Sequence, residues 1–436
     1  MLFKHIGIMD ENLDYQPDRF VGTEGAFITY IGTEEPQDVA RFGASYDGTG
    51  KLLMSAFYNT HAHTPMTLMR GYAENLPLQQ WLNNVIWPFE GKMNMEHDAW
   101  GCKLAQAEML RYGVVSYTDM YFATLERAKA TLEAGMKANH CDGGTMCFVE
   151  TDYDTLPVAE VNRKLISEYN NAADGRIKVD ICVHGEYTTP ESMIRRCIQE
   201  ASENNLGLHI HLSETAQEVT DCRERHNGMS PVEWFDYLGA FDLRVNAAHC
   251  VHLDDNDIAL LAKRGAYVSL NPASNCKLGS GIARIYDLIA AGANCTIGTD
   301  GVASNNTHNI LQSAYLLGCL AKGSIQDPAV VSAKDILRMM TVNGAQAQGR
   351  ADCGVLAEGK RADLIVMDVN TPWMRPVYDM ATNIIYSANA ADVVLTMCDG
   401  AVLYENGDWK TIDVERTAAE CDRCIDEILT ALHADA

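Results

Sequence analysis

The sequence predicts an α/β protein, a closed (β/α)8 barrel with a small β domain assembled from both chain ends. Three observations predict it. Short apolar runs alternate with longer amphipathic stretches through the middle of the chain, as parallel strands joined by helical crossovers do. About eight such runs can be counted, the number that closes a barrel. Both ends read instead as short β segments broken by turn-prone residues. An open, doubly wound sheet would show the same alternation, and the count is what favours closure.

Residues 1–56 carry FKHIGIMD, GAFITYIG and GKLLMSAF, separated by Asp, Asn, Gly and Pro, and are expected to form the N-terminal part of the small domain. The barrel is expected over 57–357. Its strand candidates are LLMSAFYNTH, VVSYTD (114–119), GGTMCFVE as the third, KVDICVHG (178–185), GLHIHLSE (207–214), VNAAHC (245–250), AYVSLNP (266–272) and CTIGTD (295–300). Among the helices between them, TPESMIRRCIQEASENN opens with Thr-Pro and a close Glu, a good N-terminus. DNDIALLAKRG and GIARIYDLIAAG each end in the glycine that stops a helix. Strand character returns over 358–412 in RADLIVMDVN, VVLTMCDGAVLYENG and WKTID, and 413–436 reads as a helical extension.

A net charge of -25 argues against nucleic acid and anionic membranes as partners. The opening MLFKHIGIMD is no signal peptide, and no charge-free apolar run is long enough to span a bilayer, so a cytoplasmic location is expected. The 14 cysteines are scattered singly through a long chain, which suits buried thiols rather than a cystine scaffold. The one CxxC, Cys421 and Cys424, lacks a second pair and reads as incidental. Met and aromatic residues of 66–93 are compatible with a homo-oligomer interface and equally with a pocket wall.

The chemistry lies at the strand ends. His61 and His63 follow the first strand, His184 closes DICVH, and His211 closes LHIH with Glu214 three residues on. His249 closes VNAAH and Asp300 closes CTIGTD. In a barrel these ends converge on one mouth. Singly, each histidine is an ordinary hydrogen-bonded residue; together, three histidines and a carboxylate make a four-ligand N/O set suited to Zn²⁺ or a similar transition ion. His209 and His211 share a strand face, so spacing leaves the choice between them open. A divalent cation would bring the pKa of a water to around 7. Asp300 could accept its proton, Glu214 could carry one to a heterocycle nitrogen, and His249 could stabilise charge at the attacked centre.

NTHAHTPMTLMRGYAENLPLQQWLNNVIWPFE (59–90), HIHLSET (209–215), AAHC (247–250) and GTDGVASNN (298–306) resemble the amidohydrolase superfamily. More narrowly they resemble the methylthioadenosine/S-adenosylhomocysteine deaminase family, and ILRMMTVNGAQAQG, GVLAEGKRADLIVMDV and PVYDMATNIIYSAN extend the likeness into the C-terminal part. The resemblance implies a distorted, TIM-like (β/α)8 barrel with a β-sandwich-like domain from both ends. It implies one divalent metal ion, Zn²⁺ with Fe²⁺ or Mn²⁺ as alternatives, held by His61, His63, His211 and Asp300, with His209 off the metal. Glu214 would be the proton shuttle and His249 would hold the nucleophile. Trp81, Glu90, His184 and Ser304 would contact substrate, Glu90 through ribose hydroxyls.

Two departures bear on substrate. The stretch GMKANHCDGGTMCFVETDYDTLP holds none of the arginines with which the family receives an amino-acid carboxylate. Gly185-Glu186 replaces the usual Ala-Pro, and Glu186 is expected to add negative charge near the pocket. The expected partner is a small purine nucleoside: methylthioadenosine, 5'-deoxyadenosine or adenosine, deaminated at C6, ahead of S-adenosylhomocysteine. The alternative is another amino-heterocycle, such as guanine, a pterin, another purine or an s-triazine, deaminated or dechlorinated by the same chemistry. A binding or scaffold protein is a third class, and nothing in the residues favours it.

Overall fold

The structure, a computed structural model, describes residues 1–434; residues 435 and 436, the end of the expected 413–436 extension, lie outside the described residues. Five strands come first: β1 (Leu2–Met9), β2 (Tyr15–Glu24), β3 (Phe27–Gly32), β4 (Ser45–Asp47) and β5 (Lys51–Ser55). The barrel follows with β6 (Phe57–Ala62), β7 (Val114–Tyr121), β8 (Lys137–Asp142) and β9 (Ile177–Val183). It continues with β10 (Gly207–Leu212), β11 (Val245–His249), β12 (Tyr267–Leu270) and β13 (Asn294–Ile297). Last come β14 (Leu364–Asp368), β15 (Val393–Cys398), β16 (Ala401–Glu405) and β17 (Asp408–Trp409).

Strands β6 to β13 pair in chain order, all in parallel. The ring is drawn together at its C-terminal mouth, where the backbone N–H groups of Thr299 and Asp300 donate to His61 O and a bridge joins Ala62 to Asp300. Helices cover the outside, so β7 and β10 are buried along their whole length, as strands of a covered parallel sheet must be. The end-derived strands form one continuous nine-stranded sheet in the order β17-β16-β15-β14-β5-β1-β2-β3, with β4 on β1. Its N- and C-terminal halves meet where β14 runs antiparallel to β5.

The chain differs from the sequence-based expectation in two strands. LLMSAFYNTH is not one strand. It changes sheets at Ala56, whose N–H donates to Asp363 O in the small domain, while the Phe57 N–H donates to Gly113 O in the barrel. The third barrel strand is KANHCD, not GGTMCFVE. Its Lys137, Asn139, His140 and Asp142 are buried, each with a polar partner: Asp363 at Lys137, Asp180 at Asn139, Thr131 at His140 and Thr124 at Asp142. Hydropathy cannot flag a strand whose interior is polar. Residues 143–150 instead leave the barrel through a turn in which Asp142 Oδ1 accepts the Gly144 N–H at 2.8 Å, and Phe148 and Val149 are exposed.

The segment 66–93 packs mostly within the chain: Met66, Met69, Trp81, Ile86 and Phe89 share an apolar cluster with Ile428 of the C-terminal helix Val414–Ala434. Cys421 and Cys424 are free thiols buried in that cluster. No helix among the described residues is long and apolar enough to cross a membrane.

Candidate active site

The mouth of the barrel gathers residues from five strands. His61 lies on β6 and His63 just past it, His184 follows β9, His211 lies on β10 with Glu214 beyond, His249 ends β11, and Asp300 follows β13. The chain leaves several of these strands through left-handed residues: Ser213 at φ 50°, His249 at 74°, Cys250 at 49° and Asp300 at 61°. Non-glycine residues adopt this conformation only where the surroundings impose it. After β10 the agent is Glu218, a buried carboxylate that accepts the N–H groups of Ser213 and Glu214, both at 2.7 Å. Glu218 was invisible to motif reading, although Thr215-x-x-Glu218 is a capping-box spacing and Thr215 Oγ1 does accept the Glu218 N–H.

Four donor atoms converge. His63 Nδ1–H donates to Met120 O at 2.5 Å and His211 Nδ1–H to His184 O at 2.6 Å. Since carbonyls only accept, these bonds put the proton on Nδ1 and aim the Nε2 lone pairs into the mouth. His61 Nδ1 lies 2.7 Å from His209 Nε2, which itself sits deeper in the barrel with its Nδ1 on Asn246. Of the two, His211 is the one whose Nε2 faces His63 in the mouth. His63 Nε2 is 3.3 Å from His211 Nε2 and 3.2 Å from Asp300 Oδ1, and His61 Nε2 is 3.4 Å from the same oxygen. Tetrahedral ligands about 2.0–2.1 Å from an ion lie about 3.3–3.4 Å from each other, so the spacing fits a small divalent cation. Two imidazole lone pairs this close repel unless a metal cation or a proton lies between them. The buried His61 Nε2 has no hydrogen-bond partner, as expected of a ligand atom. His61, His63 and His211 form one potential ion-holding group, and His61, His249 and Asp300 another.

The electrostatics agree. Burial brings His61 down to about 4 and pushes His211 well below its ordinary value, which keeps both neutral. At His63 burial opposes protonation, but Asp300 outweighs it and lifts the value to about 9; the same attraction would serve a metal cation. Asp300 Oδ2 accepts from Ser274 Oγ at 2.5 Å and Ser304 Oγ at 3.2 Å, leaving Oδ1 to face the imidazoles. His249 Nδ1 donates to Asn275 Oδ1 at 2.8 Å, which aims its Nε2 at Glu214, 3.8 Å from Oε2. Burial raises the Glu214 carboxyl.

An aromatic and Met-rich cleft leads from this cluster toward solvent. Trp81, Glu90 and His184 line it, together with Glu214, His249 and Asp300. Trp81 is anchored by its Nε1–H to Ala73 O. Trp87, whose place among apolar neighbours reads as packing, also lines the cleft, edge-on to Phe148 at 5.7 Å. Burial lifts the Glu90 carboxyl to about 7, with the Tyr121 hydroxyl beside it pulling the other way. Ser304 does not line the cleft; its hydroxyl holds Asp300. Nor does Glu186 charge it. Arg225 and His226 pair with its carboxylate at 2.5–2.9 Å in a separate groove, so the negative charge inferred from sequence is neutralised. Among the described residues, no Lys or Arg lines the cleft.

The pattern described as the amidohydrolase family matches residues 52–403. The chain is 39% identical over 385 residues to the 5-methylthioadenosine/S-adenosylhomocysteine deaminase of Dictyoglomus thermophilum, covering 88% of this chain and 89% of that one. It is 40% identical over 369 residues to the 5'-deoxyadenosine deaminase of Methanothermobacter thermautotrophicus, covering 84% and 85%. Among solved structures, an adenosine deaminase from Xanthomonas campestris with bound zinc matches with a TM-score of 0.91 at 29% identity, over 98% of each chain. A strand order, a mouth and a sequence likeness that run through nearly the whole molecule thus agree, and the chain belongs to the amidohydrolase family.

Proposed function

We propose that the protein is a metal-dependent aminohydrolase that removes the C6 amine of a 5'-modified adenosine as ammonia and leaves the inosine analogue. The observation that carries this reading is the convergence of three imidazole Nε2 atoms and Asp300 Oδ1 at one end of a cleft that has Glu90 further along its wall. His61, His63, His211 and Asp300 would hold the ion, Zn²⁺ by donor type, with Fe²⁺ and Mn²⁺ also accommodated by such ligands. Bound there, the cation supplies the Lewis acidity that makes a water reactive near neutral pH.

The side chains do the rest. Glu214, whose carboxyl burial shifts upward, donates a proton to ring N1 as C6 is attacked. His249 Nε2, with Asn275 fixing its tautomer, accepts a hydrogen bond from the attacking oxygen. Asp300 takes up a proton and returns it to the departing amine. Glu90 accepts from the vicinal ribose hydroxyls, which a carboxylate can do in pairs. The relatives named for methylthioadenosine and 5'-deoxyadenosine support a nucleoside over a free base. The cleft without Lys or Arg disfavours a substrate ending in a carboxylate, S-adenosylhomocysteine included.

Ammonia release from methylthioadenosine, 5'-deoxyadenosine, adenosine, S-adenosylhomocysteine, guanine and a pterin tests the assignment. The nucleosides with neutral 5' groups should lead in kcat/KM. Glu90→Ala should raise KM for them about tenfold or more and leave free bases little changed. Preference for a free base in the parent protein, or indifference of the nucleosides to Glu90→Ala, contradicts the reading.

A further inference from the structure

Beyond Glu90 the cleft opens into a second compartment of about 370 Å³. The two spaces share Trp87, Glu90, Tyr121, Phe122 and Met146, so a ligand with its ribose at Glu90 borders both. The far wall adds Met93 and one further ionisable side chain, Asp98.

Asp98 lies in the first turn of the helix Met95–Arg111. An acid there ordinarily serves the helix N-terminus. Here Asn94 Oδ1 already accepts the N–H groups of Glu96 and His97, and the Asp98 N–H donates to Asn94 O. Asp98 is only 5% exposed, yet its Oδ1 has no hydrogen-bond partner. Arg127 attracts it, but that guanidinium is committed elsewhere. Nε donates to Phe122 O, Nη1 to Asp119, and Nη2 to Tyr121 O, Thr124 Oγ1 and Cys141 O. Burial, reinforced by Glu90, lifts the Asp98 carboxyl to about 7 against the pull of Arg127. A carboxylate so placed is costly to bury unless something pairs with it. The thioether and aromatic walls accommodate a flexible alkyl or thioalkyl arm and favour a cation at its end.

We propose that this compartment is the subsite for a positively charged, hydrogen-bond-donating substituent on the 5' arm of the nucleoside, with Asp98 as its acceptor. The proposal rests on the nucleoside reading above and narrows it: the preferred substrate carries an amine on its 5' side chain, not a plain alkyl group.

The test compares three adenosines, bearing a 5'-methylthio, a 5'-aminoalkylthio and a 5'-carboxyalkylthio group, on the metal-loaded full chain. The aminoalkyl compound should exceed the methylthio compound in kcat/KM by about tenfold or more, and the carboxyalkyl compound should be slowest. Asp98→Asn, nearly isosteric, should lower the aminoalkyl-to-methylthio ratio at least about tenfold. The comparison in the parent protein needs no variant, so a poorly folded Asp98→Asn protein does not shelter the idea. An aminoalkyl compound slower than the methylthio one, or a ratio that Asp98→Asn leaves unmoved, overturns the subsite while leaving the deaminase reading intact. Failure to release ammonia from any of the three overturns the deaminase reading, and the subsite with it.

Discussion

Two of the buried clusters of ionisable groups in this molecule are built on opposite rules. Where β8 meets the small domain, Lys137 Nζ reaches both oxygens of Asp363 and Oδ1 of Asp399 at 2.5–2.6 Å. Tyr58 Oη and the Asp399 N–H also donate to Asp363, at 2.7 and 2.9 Å. Every charge there is answered from within the chain, and the result ties barrel to sheet. At the mouth, by contrast, donor atoms from β6, β10 and the loop after β13 face one another, and His61 Nε2 has no hydrogen-bond partner. Burial with internal pairing makes structure; burial with lone pairs left facing a common point makes a place for chemistry.

The contrast can be broken most severely at the mouth. Glu214→Gln keeps shape and removes the proton, so kcat should fall about 10²–10⁴-fold while metal content stays at the parental level. Metal analysis and steady-state ammonia release on one preparation check both halves. Lys137→Met attacks the other cluster. It leaves Asp363 and Asp399 buried without their cation and should destabilise the fold by about 3–5 kcal/mol, read by urea unfolding. Its kcat/KM should stay near the parental value at a temperature where it remains folded. A large loss of activity with unchanged stability would erase the distinction between the clusters.

The smallest effect is the acid response. Burial opposes ionisation of Asp363, but Lys137 outweighs it and holds the carboxyl at about 2, against an ordinary 3.8. Its contribution to stability is therefore complete above 3.8 and lost as the pH falls through about 2. The stability gap between the parent protein and Asp363→Asn should be widest near neutrality and narrow across that acid window.

Much of this was legible in the chain, for identifiable reasons. Seven of the barrel strands are apolar runs closed by a polar residue, so the same pattern announces the strand and the mouth. β8 was missed because its buried residues are polar and satisfied by groups distant in sequence, Asp180 and Asp363 among them. The split between β5 and β6 has no composition signal; only hydrogen-bond partners at Asp363 and Gly113 reveal it. Glu186 looked like a pocket charge because Arg225 and His226, about forty residues on, cannot be paired with it by reading. Asn275, which sets the His249 tautomer, carries no motif at all. Asp98 reads as an ordinary helix-start acid until its surroundings are known.

We propose that the four converging donors hold one divalent ion without which no ammonia is released. Titrating metal-stripped protein with Zn²⁺ while following ammonia release from methylthioadenosine tests it most directly. Activity should rise in proportion to added ion and level off at about one per chain, and His63→Ala should show neither binding nor rise. Full turnover from stripped protein, or undiminished activity in His63→Ala, would contradict the account.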